Sequence, residues 1–193
     1  MTILLAALMA PTGAMAQGLS PTVYVGQSIP LTIPVTASVG GRCQFAAGGV
    51  PQGSYDAGSI DTTAWSHDFD FRIDCNTASR VAVVSLNGGL KAATAALDSG
   101  YAALAPYTVL INLQGNSQAI NADCAVATLA ASSGTACGFR GPASTTTGLR
   151  LPGASSSQTG SYLRVSAPAY PGPAILVAGA YADTLTVTIA ASP

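Results

Sequence analysis

The single histidine of the sequence, His67, stands among side chains that could do acid–base chemistry. Ser66 precedes it and Asp68 follows it, and a histidine beside a carboxylate can act as a general base. The same stretch alternates apolar with polar residues, which predicts a β-strand. Successive side chains of a strand point to opposite faces, so these three groups do not converge. The G-x-S-x-G turn of serine hydrolases is also missing. We therefore predict that the protein is not an enzyme.

Five aspartates crowd into residues 56–74 and raise the question of a metal site. Calcium needs several oxygen ligands that wrap around the ion from a loop. The aspartates from Asp68 to Asp74 fall on the predicted strand, where their side chains line one face instead. Zinc would need Cys and His at short spacing, and the sequence has no Cys-x-x-Cys pair. We expect no metal and no cofactor. The five residues are Asp56, Asp61, Asp68, Asp70 and Asp74.

The four cysteines, Cys43, Cys75, Cys124 and Cys137, favour disulfide bonds in an exported protein. Four cysteines allow three connectivities. The pairing Cys43–Cys75 with Cys124–Cys137 is preferred here. Its second bond would close a short Ala/Ser/Gly loop, and its first bond would join two predicted strands.

Composition excludes several classes of protein. Only 8% of the 193 residues are charged, the net charge is -1 and 49% are hydrophobic. Seven basic residues give no electrostatic surface for nucleic acid. The abundance of Gly, Ser and Thr and the absence of Glu disfavour a helical bundle. No apolar run reaches the roughly 18 residues of a membrane span.

The first sixteen residues have the pattern of a signal peptide. An apolar core covers Ile3 to Ala10, and Ala14-Met15-Ala16 offers the small residues of a cleavage site before Gln17. We expect residues 1–16 to be removed on export. Residues 17–42 would then form an N-terminal extension before the folded domain, 43–193.

Within that extension, residues 23–39 alternate with a period of two, which predicts one long strand with an apolar face. Pro30 and Pro34 both occupy the opposite parity. Their missing N–H groups therefore fall on one edge of the strand, and the other edge keeps its donors. The apolar positions closest to Cys43 are Ile29, Leu31, Ile33, Val35, Ala37 and Val39.

Further strands follow along the chain, and together they predict an all-β, immunoglobulin-like β-sandwich. Residues 114–160 are predicted to be long loops or short strands, and 92–97 a helical turn or two. The strand faces are Phe69, Phe71, Ile73 and Cys75; Val81 to Leu86; Tyr107, Val109, Ile111 and Leu113; Tyr162 to Val165; and Tyr181, Asp183, Leu185, Val187 and Ile189.

Three stretches resemble the spore coat protein U family, which includes the subunits of archaic chaperone–usher pili. They are IPLTIPVTASVGGRCQF, FDFRIDC and the terminal GAYADTLTVTIAASP. Cys43 and Cys75 match the disulfide pair of the family. The ending of the chain matches the family's C-terminal strand motif at Tyr181, Asp183, Leu185, Val187 and Ile189.

The resemblance implies an incomplete sandwich that lacks one strand and is completed in trans by donor-strand complementation. The donor residues would be Ile29, Leu31, Ile33, Val35, Ala37 and Val39. The implied partners are a periplasmic pilus chaperone, an outer-membrane usher and neighbouring pilin subunits. The implied location is a pilus, or fimbrium, at the cell surface. The implied role is a structural subunit that supports adhesion or biofilm formation.

Other interpretations remain open at this point. Residues 23–39 could be the first strand of a complete sandwich that pairs in cis. The protein could also be a spore or cell-surface coat protein, or a secreted carbohydrate-binding adhesin. For the adhesin, Trp65 with Tyr55 and Tyr101 would supply aromatic surfaces, although a lone Trp more often belongs to a core.

Overall fold

The computed structural model describes residues 34–96, 98–134 and 137–193. The folded unit comprises residues 39–193. Of the segment before it, only residues 34–38 are described; they are exposed and belong to no strand or helix. The predicted signal peptide, residues 1–16, lies outside the described residues.

Strands make up the regular structure of the described residues, together with one 3-10 helix at Val126–Leu129. The predicted all-β class is confirmed. In chain order the strands are β1 (Cys43–Phe45), β2 (Trp65–Phe71), β3 (Ile73–Cys75), β4 (Ser79–Ser85), β5 (Leu90–Ala92), β6 (Tyr101–Ala102), β7 (Leu104–Ala105), β8 (Thr108–Gln114), β9 (Ala119–Ala125), β10 (Leu149–Leu151), β11 (Ser155–Ser156), β12 (Ser161–Ala167), β13 (Ile175–Leu176), β14 (Tyr181–Ala182) and β15 (Leu185–Ala191).

Two antiparallel sheets contain all the seven-residue strands. The first has the order β2-β12-β8-β9 and the second the order β10-β4-β15. Three smaller sheets, β1-β3-β11, β14-β5-β7 and the parallel pair β13-β6, adjoin them in sequence. In the described residues β2 therefore has one strand neighbour, β12, and β15 has one, β4.

One buried apolar cluster joins the two larger sheets. In β8 the inner residues Val109, Ile111 and Leu113 are inaccessible to solvent, because alternate side chains of a strand share a face. Tyr107 continues this face and is also buried. The predicted face of the strand is therefore confirmed. The other buried members include Phe71, Val81, Val83, Val126, Leu129, Phe139, Leu151, Leu163 and Val165.

The predicted face that ends at Cys75 is also confirmed. Phe71, Ile73 and Cys75 are buried, and Phe69 is partly buried. The chain passes from β2 to β3 at Arg72, whose N–H donates to the carbonyl oxygen of Gly49 instead of a strand partner. The predicted strands at 81–86 and 162–165 correspond to β4 and β12.

The predicted helical turn at residues 92–97 is wrong for its described part. Ala92 ends β5, and residues 93–96 are not helical. The N–H of Ala92 donates to the carbonyl oxygen of Ala103, and that of Ala93 to Ala180. These backbone groups serve neighbouring strands, so the high helix propensity of alanine is overridden.

Region 114–160, predicted to be long loops or short strands, contains the short strands β10 and β11 and also the seven-residue strand β9. All seven residues of β9 pair with β8, with Ile111 opposite Ala122. The inner side chains of β9 are Ile120, Ala122 and Cys124. Two of these three are small, which leaves a weak hydrophobic pattern in the sequence.

The predicted C-terminal strand is divided in two. Residues Asp183 and Thr184 separate β14, which pairs with β5, from β15, which pairs with β4. The apolar positions of β15 keep one face, since Leu185, Val187 and Ile189 lie opposite Ser85, Val83 and Val81.

Both preferred disulfides are present. Cys43 lies directly opposite Cys75 in the β1–β3 pair, and their Cα atoms are 4.1 Å apart. Cys124, in β9, is bonded to Cys137 with a Cα–Cα distance of 6.1 Å. Beside the first bond, Asn76 accepts a hydrogen bond from the N–H of Arg42 (2.7 Å) and donates to the carbonyl oxygen of Gly40 (3.1 Å).

The two disulfides should differ in their contribution to stability. The first encloses a sequence separation of 32 residues and the second one of 13. Loop-closure entropy predicts a loss of about 4 kcal/mol for the pair Cys43→Ala/Cys75→Ala, and about 3 kcal/mol for Cys124→Ala/Cys137→Ala. Urea unfolding of both double variants measures the order, and a larger loss for the second pair would contradict it.

Candidate functional site

The structure places His67 and Asp68 on opposite faces of β2, with different partners. The His67 ring stacks on Tyr55, with centroids 4.3 Å apart and planes 8° from parallel. Asp68 lies on the other face of β2 and pairs with Arg164. The strand therefore separates the imidazole from its sequence neighbours, as its alternation predicts.

Asp68 and Arg164 form a two-pronged ion pair across β2 and β12. Arg164 donates from Nε to Oδ1 (2.6 Å) and from a terminal nitrogen to Oδ2 (2.7 Å). The guanidinium also lies 5.0 Å from the centroid of the Tyr162 ring. The hydrogen bonds from Arg164 hold the pKa of the Asp68 carboxyl below its usual value. This pair supports sheet pairing on the outer face.

Among the residues that the structure describes, no group of three or more His, Cys, Asp or Glu side chains could hold a metal ion. Asp56 instead accepts a hydrogen bond from the N–H of Gly58 in its own turn. In the same part of the chain, no helix is long and apolar enough to cross a bilayer.

A groove with an apolar floor, called here the edge groove, lies between the edge strands β2 and β15. It encloses ≈ 940 Å³ and its floor is built from inner side chains of the first sheet. These floor residues are Trp65, Phe69, Tyr107, Leu163 and Val165, and Leu185 of β15 forms the opposite wall.

The side chains along the edge groove are less buried than those deeper in the core. Leu185, which lines the groove, is partly exposed, as are Val187 and Ile189 further along β15, whereas Val81 and Val83 on the adjacent strand are fully buried. Trp65 and Phe69 of β2 are likewise partly exposed. Among the described residues, both strands that border the groove have an edge without a strand partner, so backbone donors and acceptors accompany the apolar surface.

Residues 51–61 form one rim of the edge groove and belong to no strand. Tyr55 fixes this rim, since its ring contacts Trp65 at a centroid distance of 6.1 Å as well as His67. Near the far end of the rim, the N–H of Tyr170 donates to the carbonyl oxygen of Ile60. Ring contacts of Tyr55 and a backbone hydrogen bond at Ile60 therefore hold the rim beside the groove.

The carboxylate of Asp183 lies at one end of the edge groove, beside the start of β15. Its Oδ2 accepts hydrogen bonds from the hydroxyls of Ser85 (2.6 Å) and Tyr107 (2.8 Å). Its Oδ1 accepts from the backbone N–H of Asn87 (3.0 Å) and of Thr184 (2.8 Å). One side chain thus joins the end of β4, the start of β15 and the residue before β8.

Two tyrosine hydroxyls belong to this end. Burial, with the nearby charge of Asp183, raises the pKa of Tyr107 far above its usual value. The Tyr107 hydroxyl donates to Asp183. Tyr181 donates to the carbonyl oxygens of Val177 (2.9 Å) and Ala102 (3.1 Å), which share its one proton. Burial raises the pKa of Tyr181 as well.

The structure divides the C-terminal motif into two roles. Tyr181 and Asp183 supply hydrogen bonds at the end of the groove, while Leu185, Val187 and Ile189 supply the apolar wall of β15. The sequence pattern did not separate these roles, because all five positions share one parity.

The predicted donor residues fall partly outside the described residues. Ile29, Leu31 and Ile33 lie outside the described residues. Val35, Ala37 and Val39 are described; they are exposed, and Val35 and Val39 are 88% and 86% accessible. Residues 34–39 belong to no strand.

Sequence reasoning missed the rim 51–61 and the floor residues of β12. From the sequence, Tyr55 is a candidate only for contact with a sugar, not for the rim. The rim carries Gly, Pro and Ser without periodicity, so no pattern places it beside β2. Leu163 and Val165 do alternate with polar residues, and this signal identified a strand without locating it at the groove.

Comparisons of the chain with protein-family models, with curated proteins and with solved structures find no match.

Removal of the Asp183 carboxylate should destabilise the fold. In Asp183→Ala, the hydroxyls of Ser85 and Tyr107 lose their acceptor, and we expect a loss of about 2–4 kcal/mol in the free energy of unfolding. Asp70→Ala, on the exposed outer face of β2, is the control and should change stability by less than about 0.5 kcal/mol. Urea unfolding gives both values; equal effects would show that the network is dispensable.

The ion pair predicts a pH dependence for Arg164→Gln. The pKa of Asp68 is lowered in the folded state, so its stabilisation is present above the unfolded pKa of about 3.9 and is lost as pH falls. The stability difference between wild type and variant should therefore shrink below about pH 4. NMR titration should show the Asp68 pKa rising in the variant, and an unchanged pKa would refute the assignment.

Proposed function

We propose that this protein is a structural subunit of a chaperone–usher type surface pilus, which polymerises by donor-strand exchange. The observation that supports it best is the edge groove: an open cleft with an apolar floor, bordered by β2 and β15, each of which has one strand neighbour among the described residues. A segment with alternating apolar side chains, exposed at Val35, Ala37 and Val39, leads into the folded unit in the same chain. We interpret the groove as an acceptor and the segment as a donor.

The two larger sheets support the immunoglobulin-like interpretation. They share one core, and their strands are antiparallel. A strand added from another chain extends a sheet at one of its unpaired edges. Here the gap between β2 and β15 contains the edge groove, which is the position where an added strand would complete the fold.

The alternating sequence of the donor segment suits strand addition. Alternate side chains on one face of a strand are about 6.8 Å apart, and they can enter successive positions along the groove. Eleven residues, 29–39, span about 36 Å, and the seven residues of β15 span about 23 Å. Burial of four to six such side chains contributes on the order of 10 kcal/mol before entropy costs.

The positions of Pro30 and Pro34 fit a donor with one hydrogen-bonded edge. Their missing N–H groups share a parity, so the other edge can pair with β15 without loss. The proline edge would then face the rim 51–61, a segment without strand pairing of its own. The rim is not a strand, so the donor need not supply it with a regular series of backbone hydrogen bonds.

The proposal carries consequences for partners and location. An empty apolar groove is an aggregation hazard, so a periplasmic chaperone would occupy it before the next subunit does. An outer-membrane usher would be the site of exchange, and the filament would reach the cell surface, where it supports adhesion or biofilm formation. No catalytic role is included.

The adhesin alternative rests on the aromatic side chains of the edge groove. Trp65 has ring contacts with Tyr107 (5.7 Å) and with Tyr55. A sugar stacks on an exposed aromatic face, whereas these neighbours engage the indole from two sides. Tyr101 lies in β6 and does not line the groove. The structural-subunit proposal therefore accounts for more of the observations.

Matched substitutions in the donor segment test the proposal. Val35→Asp puts a carboxylate into the apolar groove, where desolvation without a partner costs several kcal/mol. Thr36→Asp, on the opposite face, should have little effect. We expect Val35→Asp to abolish filaments seen by electron microscopy and Thr36→Asp to preserve them. Both monomers should melt like wild type, because both positions are exposed.

A deletion provides the second arm of this test. Removal of residues 17–39 should leave a folded subunit that binds a chaperone and forms no filament, because the deleted segment serves the neighbour. Equal polymerisation of the two point variants, or unfolding of the deletion variant, would show that residues 23–39 complete their own chain.

A further inference from the structure

Four large apolar side chains are exposed at the end of the folded unit where β15 begins. They are Leu86, Tyr101, Leu104 and Ile175, called here the end patch. Ile175 is 68% and Leu86 72% accessible. In a chain with so few charged residues, single exposed apolar side chains are ordinary, but a group of them at one end indicates a contact surface.

Backbone pairing places the end patch beside the mouth of the edge groove. The N–H of Leu86 donates to the carbonyl oxygen of Thr184, directly before β15. Tyr101 and Ile175 are register partners in the β6–β13 pair. Leu104 belongs to β7, whose sheet includes β14. The Tyr181 hydroxyl, in the sheet β14-β5-β7, donates to the carbonyl oxygen of Ala102 in β6 and so links this sheet to the β6–β13 pair.

The opposite end of β15 is covered by the chain itself. A Cβ placed on Gly41 would lie 3.8 Å from the Cβ of Ala191 and 3.6 Å from Cγ of Pro193. Residues just before β1 therefore run against the C-terminal end of β15. The chain of a donor strand bound in the groove can therefore leave it at the Leu185 end.

The short connection between the donor segment and β1 determines what lies at the Leu185 end of the groove. In the donor copy only residues 40–42 separate Val39 from Cys43, the first residue of β1. Four residue steps span at most about 14 Å. If the donor pairs antiparallel to β15, like each strand of the larger sheets, its Val39 lies at the Leu185 end. The folded unit of that copy must then sit against the end patch.

We propose that the end patch binds a second copy of this chain, at the surface of that copy around Gly41, Thr77 and Pro193. This inference rests on the proposed function and deepens it: successive subunits are joined by a contact between folded units as well as by the donor strand. The contact is heterologous, so it repeats along a filament without closing.

Photo-crosslinking tests the contact in the full chain. Benzoylphenylalanine replaces Tyr101 in the end patch or, as a control, Tyr162 on the outer face of the first sheet. A mixture of ¹⁴N- and ¹⁵N-labelled copies distinguishes links between chains by mass spectrometry. We expect position 101 to link to peptides that contain residues 40–44, 76–78 or 191–193 of another copy, and position 162 not to do so.

Each outcome is decisive. Filaments without these links, or with the same links from position 162, would overturn the end patch and leave the proposed function standing. Absence of filaments from the unsubstituted chain would overturn both. In Ile175→Asp the monomer should melt like wild type, since the side chain is exposed, while the assembled fraction falls about tenfold, and an unchanged assembled fraction would count against the contact.

Discussion

The start of the C-terminal strand is fixed by four hydrogen bonds to one carboxylate. Asp183 accepts from the end of β4, from the residue before β8 and from the first N–H beyond itself. With that point fixed, Leu185 must face Ser85, and every later residue of β15 follows in register with β4. A slip of one residue would turn the apolar wall of the edge groove to the other face.

The same register leaves the folded unit with an apolar face that it does not cover. Leu185 is partly exposed on one side of the groove, Trp65 and Phe69 on the other, and Val187 and Ile189 are partly exposed further along β15. Incomplete burial reduces the hydrophobic stabilisation of the folded unit. Two disulfides and a central strand with three fully buried side chains, Val109, Ile111 and Leu113, offset this loss.

The sequence was informative where side chains alternate and uninformative where backbone pairing decides. Period-two patterns located β2, β8, β12 and β15, because a half-buried strand imposes them, and a short apolar run located β4. Ala92 and Ala93 favour a helix by propensity, yet their N–H groups serve sheet neighbours. The small inner residues of β9 gave too little contrast. The rim 51–61 and the acceptor role of Asp183 depend on contacts between residues far apart in sequence, which no local pattern reports.

The first disulfide has a mechanical consequence in a filament of the proposed kind. Tension from the neighbouring subunit would enter through residues 40–42 and reach the folded unit at Cys43. There the Asn76 side chain bonds to Gly40 and Arg42, and the sulfur bridge ties β1 to β3. Pulling on the tether then cannot peel β1 away one hydrogen bond at a time. The force passes instead through a covalent link into β3, which is paired on both sides, with β1 and with β11.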